Sequence, residues 1–238
     1  MNELQEKIGI LNPDWLMSTR EKLGLIGLLH CLKPKKVLEL GYHRGGATKW
    51  FSEFSEKVIS VDVNEFVPNA PNLFHNVEAC HCPTLEAASR IKAENLFFDL
   101  AIIDADHSRQ AVSADINGII SHSDIILMYD SFNPDCRKGM IDALENQKSH
   151  AYYLDFIPSV SKGEGLWGGL AIAWKCQTLC QAQEFAKEIS SFAPLVIQNY
   201  FRITPVINTT NVKLSAFKEF VFSKIKITGG HLLGKLKP

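Results

Sequence analysis

The sequence predicts a doubly wound α/β fold, in which a mostly parallel sheet carries helices on both faces. Short apolar stretches such as residues 58–63 and 97–103 alternate with helical segments along the chain. Strands that are covered on both faces are nearly continuous apolar runs, because neither face meets water. With 238 residues, 46% of them hydrophobic and 21% charged, the chain has the size and composition of one large globular domain.

The elements follow one another in alternation. Ser18 and Glu21 form a capping-box pattern before an apolar stretch, which predicts a helix that ends before Pro34. A glycine-rich loop at residues 162–165 comes late enough to border a site at the sheet edge. We predict strands at residues 36–40, 58–63, 73–77, 97–103, 125–129, 152–156 and 169–174, and further helices at residues 50–54, 85–94 and 140–147.

The charge pattern divides the chain into two parts. The net charge of −1 argues against nucleic acid as a partner, because binding to phosphates needs clustered Lys and Arg. Residues 211–238 hold six lysines and one acid, with apolar residues at helical spacing, and form a basic amphipathic appendage to a domain at residues 1–210. This segment packs on the domain, pairs with a second subunit in a homodimer, or lies on an anionic membrane surface; we favour the first two.

Several features predict a cytoplasmic protein. The six cysteines have no framework spacing, which indicates reduced thiols. The first ten residues lack the basic and apolar regions of a secretory signal. The longest nearly apolar run, residues 23–32, is about half the length that a membrane-spanning helix needs.

A glycine turn after the first strand predicts a nucleoside-containing cofactor. Gly41 begins the turn, and Asp62 ends the second strand, where an acid can accept hydrogen bonds from both ribose hydroxyls. A dinucleotide fingerprint needs a glycine where His43 stands, and the carboxylate of Glu39 would repel a pyrophosphate but attract a cation. These residues favour S-adenosylmethionine over a nicotinamide dinucleotide.

A second group of polar residues follows the fourth and fifth strands. Asp104, Asp106 and His107 end one strand and Asp130 ends the next, so carboxylates and an imidazole converge at the same edge of the sheet. Histidine is suited to remove a proton near neutral pH. As alternatives, Asp104 or Asp106 caps the following helix, and His107 is a partly exposed loop residue.

Other histidines and cysteines carry less weight. His43 and His81 are close enough in sequence to the same edge to reach the cleft, but we favour neither as a catalytic group. Cys80 and Cys82 flank His81 like a fragment of a zinc site, but a second pair of ligands is missing.

Four motifs together resemble those of class I S-adenosylmethionine-dependent methyltransferases. Within that superfamily they are most similar to the small O-methyltransferases grouped with cephalosporin hydroxylase and macrolide-sugar methyltransferases, over about residues 35–175. The resemblance implies a Rossmann-like seven-stranded sheet whose last strand, residues 169–174, is antiparallel. The motifs are Val37-Leu-Glu-Leu-Gly-x-x-x-Gly-Gly-x-Thr48, Val61-Asp62, Ile103-Asp-Ala-Asp-His107 and Asp130-Ser-Phe-Asn-Pro134.

The resemblance also implies roles for individual residues. His107 would be the base, and Asp104 and Asp130 would be catalytic residues that ligate Mg²⁺ or the acceptor. Two positions depart from the family pattern: Tyr129 stands where the sugar methyltransferases have an acid, and Ser131 where catechol-type relatives have Asn. The residues implied to contact the cofactor are Glu39, Gly41, Tyr42, Gly45, Gly46, Thr48, Asp62, Val63, Thr84 and Asp104.

We therefore expect an enzyme, a methyltransferase that moves a methyl group from S-adenosylmethionine to a hydroxyl of a small molecule or sugar, with or without help from a divalent metal. Two alternatives stay open. One is a nicotinamide-dependent oxidoreductase. The other is a non-catalytic cofactor-binding protein of the same fold, which Tyr129 and Ser131 suggest.

Overall fold

The computed structural model describes residues 15–64, 74–145, 147, 149–157, 168–176 and 184–185. The α-helices in these ranges are α1 (Thr19–Leu32), α2 (Thr48–Phe54), α3 (Thr84–Ala93), α4 (Arg109–Ile119) and α5 (Pro134–Leu144), and a short 3-10 helix at Ile120–His122 follows α4. The strands are β1 (Lys36–Leu40), β2 (Lys57–Asp62), β3 (Val77–His81), β4 (Phe98–Ile103), β5 (Ser123–Tyr129), β6 (His150–Ile157) and β7 (Leu170–Lys175).

The strands form one mixed sheet in the order β3-β2-β1-β4-β5-β7-β6. Strands β1 to β5 are parallel, whereas β7 is antiparallel to both β5 and β6. This confirms the predicted seven-stranded sheet with its antiparallel strand near the end of the described fold. The chain reverses its direction of winding between β1 and β4, and a crevice forms at the carboxyl ends of strands at such a point.

Helices cover both faces of the sheet, as the apolar strands predicted. On one face, Leu25 and Leu29 of α1 and Phe51 of α2 pack in a fully buried cluster. On the other face, Ile116 of α4 and Met140 of α5 belong to a second buried cluster. Because each cluster packs against one face of the sheet, the central strands are buried on both sides.

The predicted capping box at the start of α1 is present. The Ser18 hydroxyl accepts a hydrogen bond from the backbone N–H of Glu21 at 3.3 Å, and Glu21 Oε2 accepts one from Ser18 N–H at 2.8 Å. The other Glu21 oxygen accepts a hydrogen bond from Gly169 N–H, just before β7. A single buried glutamate thus caps α1 and ties it to the sheet.

The bounds predicted for two elements are wrong. The third strand begins at Val77 rather than at residue 73, because it pairs in register with β2 and ends level with it at His81. Helix α5 begins at Pro134, where the Asn133 side chain caps its N-terminus, and ends at Leu144 instead of residue 147. The predicted loop at residues 162–165 and appendage at 211–238 lie outside the described residues.

The described cysteines are free thiols, as expected: Cys31, Cys80, Cys82, Cys136 and Cys176. Among the helices in the described ranges, none has both the length and the hydropathy needed to cross a bilayer.

Candidate functional site

A cavity of about 840 Å³ opens at the carboxyl ends of the central parallel strands. Its wall combines residues that follow β1, β2, β4 and β5 with the segment just before α1 and the start of β7. Within the described ranges, the wall holds neither lysine nor arginine. It does hold seven carboxylates: Glu21, Glu39, Asp62, Asp104, Asp106, Asp115 and Asp130.

The turn of the chain after β1, which lines the cavity, requires glycine at position 41. Gly41 has a φ of +91°, and a Cβ at this position would collide with the carbonyl group of Asp104. The main chains of β1 and β4 are joined here by a hydrogen bond of 2.8 Å from Asp104 N–H to the Leu40 carbonyl. The close approach of the two strand ends therefore depends on the missing side chain.

Glu39 is buried at the base of the cavity. Its Oε2 atom accepts hydrogen bonds from the hydroxyls of Thr48 at 2.7 Å and Ser60 at 2.6 Å. Burial raises the pKa of Glu39 to about 7, although these two hydrogen bonds oppose the rise. Neither Thr48 nor Gly45 lines the cavity. Thr48 therefore holds Glu39 in place through its hydrogen bond and does not face the cavity itself.

Asp62 lies at the end of β2 and shapes the glycine turn. Its carboxylate accepts hydrogen bonds from the backbone N–H groups of His43 at 3.0 Å and Asn64 at 2.9 Å. His43 lines the cavity with a left-handed backbone, φ +46°. His81 does not line it; its Nδ1 atom lies 3.3 Å from the Tyr42 hydroxyl.

The remaining cofactor positions implied by the resemblance surround the same space. Gly46 and Tyr42 line the cavity beside the glycine turn, and Val63 and Thr84 line it on the side of β2 and α3. Val63 is 62% exposed and Leu85, next to Thr84, is 57% exposed. The cavity therefore has a partly apolar wall where it passes between β2 and α3.

Asp104, His107 and Asp130 are brought together as predicted. His107 Nε2 lies 2.6 Å from Asp130 Oδ2 and 3.7 Å from Asp104 Oδ1. Asp130 has a left-handed backbone, φ +53°, and its Oδ1 atom accepts a hydrogen bond from Gly168 N–H at 2.5 Å. Both oxygens of Asp130 are thus engaged, one with the imidazole and one with the backbone before β7.

The electrostatics of this group follow from burial and like charge. The hydrogen bond that His107 donates to Asp130 raises the pKa of His107, and burial opposes this rise. Burial, followed by the nearby charge of Asp130, raises the pKa of Asp104 well above its ordinary value. The side chain of Asp104 is 31% exposed, but it faces a cavity whose wall shields it from bulk water.

The alternative role of Asp104 and Asp106 as helix caps is wrong for the helix that follows. Ser108 is the N-cap of α4, since its hydroxyl accepts a hydrogen bond from Ala111 N–H at 3.3 Å. Asp106 is exposed and accepts a hydrogen bond from Ser108 N–H at 2.7 Å. Asp104 lines the cavity instead.

Two hydroxyls flank Asp130, at the positions where the chain departs from the pattern of the families that it resembles. Tyr129 and Ser131 flank Asp130 and are buried, and neither hydroxyl has a hydrogen-bond partner among the described residues. Burial raises the pKa of Tyr129 well above its ordinary value, so the phenol stays neutral. Tyr129 lines the cavity.

A divalent cation fits the side chains of this group. One ligand atom from each of Asp104, His107 and Asp130 lies within 4.8 Å of the other two. Carboxylate oxygens are the ligands that Mg²⁺ prefers, but a cation here would compete with the hydrogen bond between His107 and Asp130.

Sequence reasoning missed Asp115. It lies on α4 among the buried residues Val112, Ile116 and Ile119, lines the cavity and is 2% exposed. An acid on the apolar face of a helix was the available signal, because charged residues are almost never fully buried without a partner.

The fold is that of known methyltransferases. The chain is similar in structure to the O-methyltransferase from Bacillus cereus in complex with S-adenosylhomocysteine, at 17% identity over 74% of this chain and 90% of that one, with a TM-score of 0.54. It is similar to the O-methyltransferase TomG from Streptomyces achromogenes in complex with S-adenosylmethionine, at 14% identity over 72% and 88%, with a TM-score of 0.52.

Comparison of structures finds similar proteins, whereas comparison of sequences finds none. No protein-family model and no curated protein sequence matches the chain. The likeness is one of backbone fold, since only 17% and 14% of the residues are identical. This chain has the Rossmann-like fold of the class I S-adenosylmethionine-dependent methyltransferases.

Proposed function

We propose that the protein is an S-adenosylmethionine-dependent O-methyltransferase that acts on a hydroxyl of a small molecule. The observation that carries the proposal is the acidic cavity wall, with seven carboxyl groups, some of them with a raised pKa, and no lysine or arginine among its described residues. S-adenosylmethionine carries a sulfonium, an ammonium and one carboxylate, and such a wall attracts its net positive charge, whereas a dinucleotide brings a pyrophosphate, which it repels. The cavity thus favours the methyl donor over a nicotinamide cofactor.

The glycine turn and the two acids beside it suit the parts of this cofactor. Gly41 and Gly46 leave room for the methionine part, and the buried carboxylate of Glu39 provides a counter-charge for its ammonium group. Asp62, at the end of β2, is placed for the ribose hydroxyls. Support for an adenosyl cofactor comes from the two similar enzymes, which were solved in complex with S-adenosylhomocysteine and S-adenosylmethionine.

The reaction needs orientation and the removal of one proton. The sulfonium supplies the driving force, so the protein holds the acceptor oxygen in line with the methyl group and takes the hydroxyl proton. His107 receives that proton, and Asp130 stabilises the imidazolium through their 2.6 Å hydrogen bond. The backbone N–H of Gly168 fixes the other oxygen of Asp130 and keeps the pair in place.

Metal assistance is a second candidate, favoured by the convergence of Asp104, His107 and Asp130. Asp104 and Asp130 would hold a Mg²⁺ ion, which would lower the pKa of the acceptor hydroxyl when bound. Without a metal ion, His107, held by Asp130, removes the same hydroxyl proton of the acceptor.

Calorimetry with S-adenosylhomocysteine tests the cofactor assignment. The intact protein should bind this product, and Asp62→Ala should weaken binding strongly while Asp99→Ala, which changes an acid outside the cavity, should not. Absence of binding to the intact protein would rule out the proposal, and tighter binding of NAD would favour the oxidoreductase. Transfer of a labelled methyl group to hydroxylated sugars and phenols then separates an enzyme from a non-catalytic binding protein.

A further inference from the structure

Two consecutive glycines just before β7 hold the loop that follows β5. Gly168 N–H donates a hydrogen bond to Asp130 Oδ1 at 2.5 Å, and the Gly168 carbonyl accepts one from Phe132 N–H at 3.0 Å. The Gly169 carbonyl accepts a further hydrogen bond from Ser131 N–H at 3.3 Å. Three of the four backbone polar groups of this glycine pair therefore hold the loop that carries the partner of the proposed base.

The conformation of the glycine pair depends on the absence of side chains. Gly168 has a φ of +103° and Gly169 a φ of +85°. A Cβ on Gly169 would lie 2.6 Å from Phe132 Cδ2 and 2.7 Å from Ser131 Oγ. Because glycine has the most conformational freedom to lose on folding, such a pair stays in one conformation only where other groups fix it.

Glu21 fixes the fourth polar group of the pair. Gly169 N–H donates a hydrogen bond to Glu21 Oε1, across 148 positions of the sequence. The other oxygen, Glu21 Oε2, accepts a hydrogen bond from Ser18 N–H at 2.8 Å. Glu21 is 6% exposed and lies in α1, where Leu25 and Leu29 are fully buried. The carboxylate thus joins the glycine pair to a helix that is firmly packed on the sheet.

These contacts indicate a role in position rather than in proton transfer. Glu21 lines the cavity, but the backbone engages both of its carboxyl oxygens. Its contact with Gly169 is followed, one residue earlier in the chain, by the contact of Gly168 with Asp130. Asp130 in turn contacts His107 at 2.6 Å. A continuous series of hydrogen bonds and one peptide unit therefore connects α1 to the imidazole.

We propose that Glu21 is a positioning residue for the base, which acts through the glycine pair to keep Asp130 turned towards His107. This inference rests on the proposed function, because it takes His107 to be the base. Without the Glu21 carboxylate the glycine pair can move, and Asp130 moves with it. A displacement of about 1 Å in a catalytic group can slow a reaction about a hundredfold.

Steady-state kinetics with an identified acceptor compare Glu21→Ala with Ser18→Ala. The control removes the hydroxyl that caps α1 and weakens the same end of the helix, but it leaves both contacts of the Glu21 carboxylate. Glu21→Ala should lower kcat by about tenfold to a hundredfold, while the KM for S-adenosylmethionine and the Kd for S-adenosylhomocysteine stay within about threefold. Ser18→Ala should keep kcat within about twofold.

NMR of protein labelled with ¹⁵N-glycine gives a second readout that needs no acceptor. A hydrogen bond to a carboxylate is strong, so it gives the Gly168 amide proton a distinct resonance and slow exchange with water. Asp130→Asn identifies this resonance, because it changes the partner of Gly168. Glu21→Ala should shift the resonance and speed its exchange by about tenfold or more, and Ser18→Ala should do neither.

Glu21→Gln serves as a second variant in case Glu21→Ala does not fold, which circular dichroism decides. Its amide offers one acceptor oxygen to two backbone donors, so one of the two contacts is lost. The loss of kcat should lie between those of the intact protein and Glu21→Ala.

The outcomes separate the inference from the function on which it rests. If the intact protein does not bind S-adenosylhomocysteine, the proposed function fails and the inference fails with it. If it binds, three results would each show that Glu21 does not position the base, and the proposed function would stand. These are an unchanged kcat in Glu21→Ala, an unchanged Gly168 resonance in that variant, and a loss of kcat in Ser18→Ala as large as in Glu21→Ala.

Discussion

His107 Nε2 lies 2.6 Å from Asp130 Oδ2, at the point where β4 and β5 end side by side. Asp130 reaches this position from a left-handed backbone, φ +53°, which costs about 1–3 kcal/mol for a residue other than glycine. The hydrogen bond from Gly168 N–H to its second oxygen helps to hold that conformation. The fold thus accepts local strain in order to present a carboxylate to an imidazole.

Replacing Asp130 should impair His107 as the base without weakening the binding of the cofactor. In Asp130→Asn the pKa of His107 should fall, because the hydrogen bond that raises it is weakened. Methyl transfer to an identified acceptor should slow by about 10²–10⁴-fold, the usual worth of general base catalysis. NMR titration of the His107 ring protons measures the first effect and steady-state kinetics the second.

Asp124→Asn provides the comparison for that variant, since Asp124 is an acid on β5 whose carboxylate pairs with Lys175 at 3.7 Å. Both variants should bind S-adenosylhomocysteine like the intact protein. An unchanged His107 pKa and rate in Asp130→Asn would contradict the role given to the pair.

Cofactor affinity should rise with pH through neutrality. Burial raises the pKa of Glu39 to about 7, so near pH 7 about half of the unliganded molecules carry this carboxyl protonated. A cationic ligand favours the carboxylate, and binding should therefore release a proton and weaken below pH 7. Calorimetry of S-adenosylmethionine between pH 6 and pH 8 in buffers of different ionisation enthalpy measures both effects, which Glu39→Gln should reduce.

Asp115 should lower stability above its folded-state pKa. That pKa is about 6, higher than the ordinary value near 4, so the folded protein binds the proton more tightly than the unfolded chain. Stability falls as the pH rises from about 4 to about 6 and the cost is then constant. Urea unfolding measures the free energy of unfolding of Asp115→Asn and of the intact protein. The difference between the two should move in favour of Asp115→Asn by up to about 2–3 kcal/mol as the pH rises from 4 to 6. An equal difference at pH 4 and pH 8 would contradict it.

Gly41→Ala should damage both the fold and the site. The added Cβ meets the Asp104 carbonyl and the φ of +91° strains alanine, which together should cost about 2–5 kcal/mol in the free energy of unfolding. Gly24→Ala, inside α1, should instead stabilise by up to about 1 kcal/mol. Chemical denaturation measures both; a neutral Gly41→Ala would show that β1 and β4 can separate here.

Magnesium should compete with the proton shared by His107 and Asp130. If a cation binds between Asp104 and Asp130, millimolar Mg²⁺ should shift the His107 ring resonances and lower its pKa, because the cation repels the second proton. Asp104→Asn should remove this response. Resonances that do not move with added Mg²⁺ would leave His107 and Asp130 as a metal-independent base.

Much of the fold was predictable because local patterns carry it. Continuous apolar strands such as β4, alternating with helices, indicated the doubly wound sheet, and the capping box at Ser18 located α1. The third strand was misplaced because β3 lies at the edge of the sheet and is only half buried, so its apolar pattern is weak. Its position is decided by pairing with β2, which residues near it in sequence do not encode.

By itself, the sequence determined which residues gather at the carboxyl ends of the strands, because motif positions after parallel strands always meet there. Gly41, Asp62, Asp104 and His107 were found in this way. Only the tertiary structure decided how they are partnered. Asp115 joins the cavity because Gly118 lets α4 approach α3, and Glu21, whose helix cap was predicted, also accepts a hydrogen bond from Gly169 N–H before β7. Such contacts depend on helix packing and long-range hydrogen bonds, which no local pattern specifies.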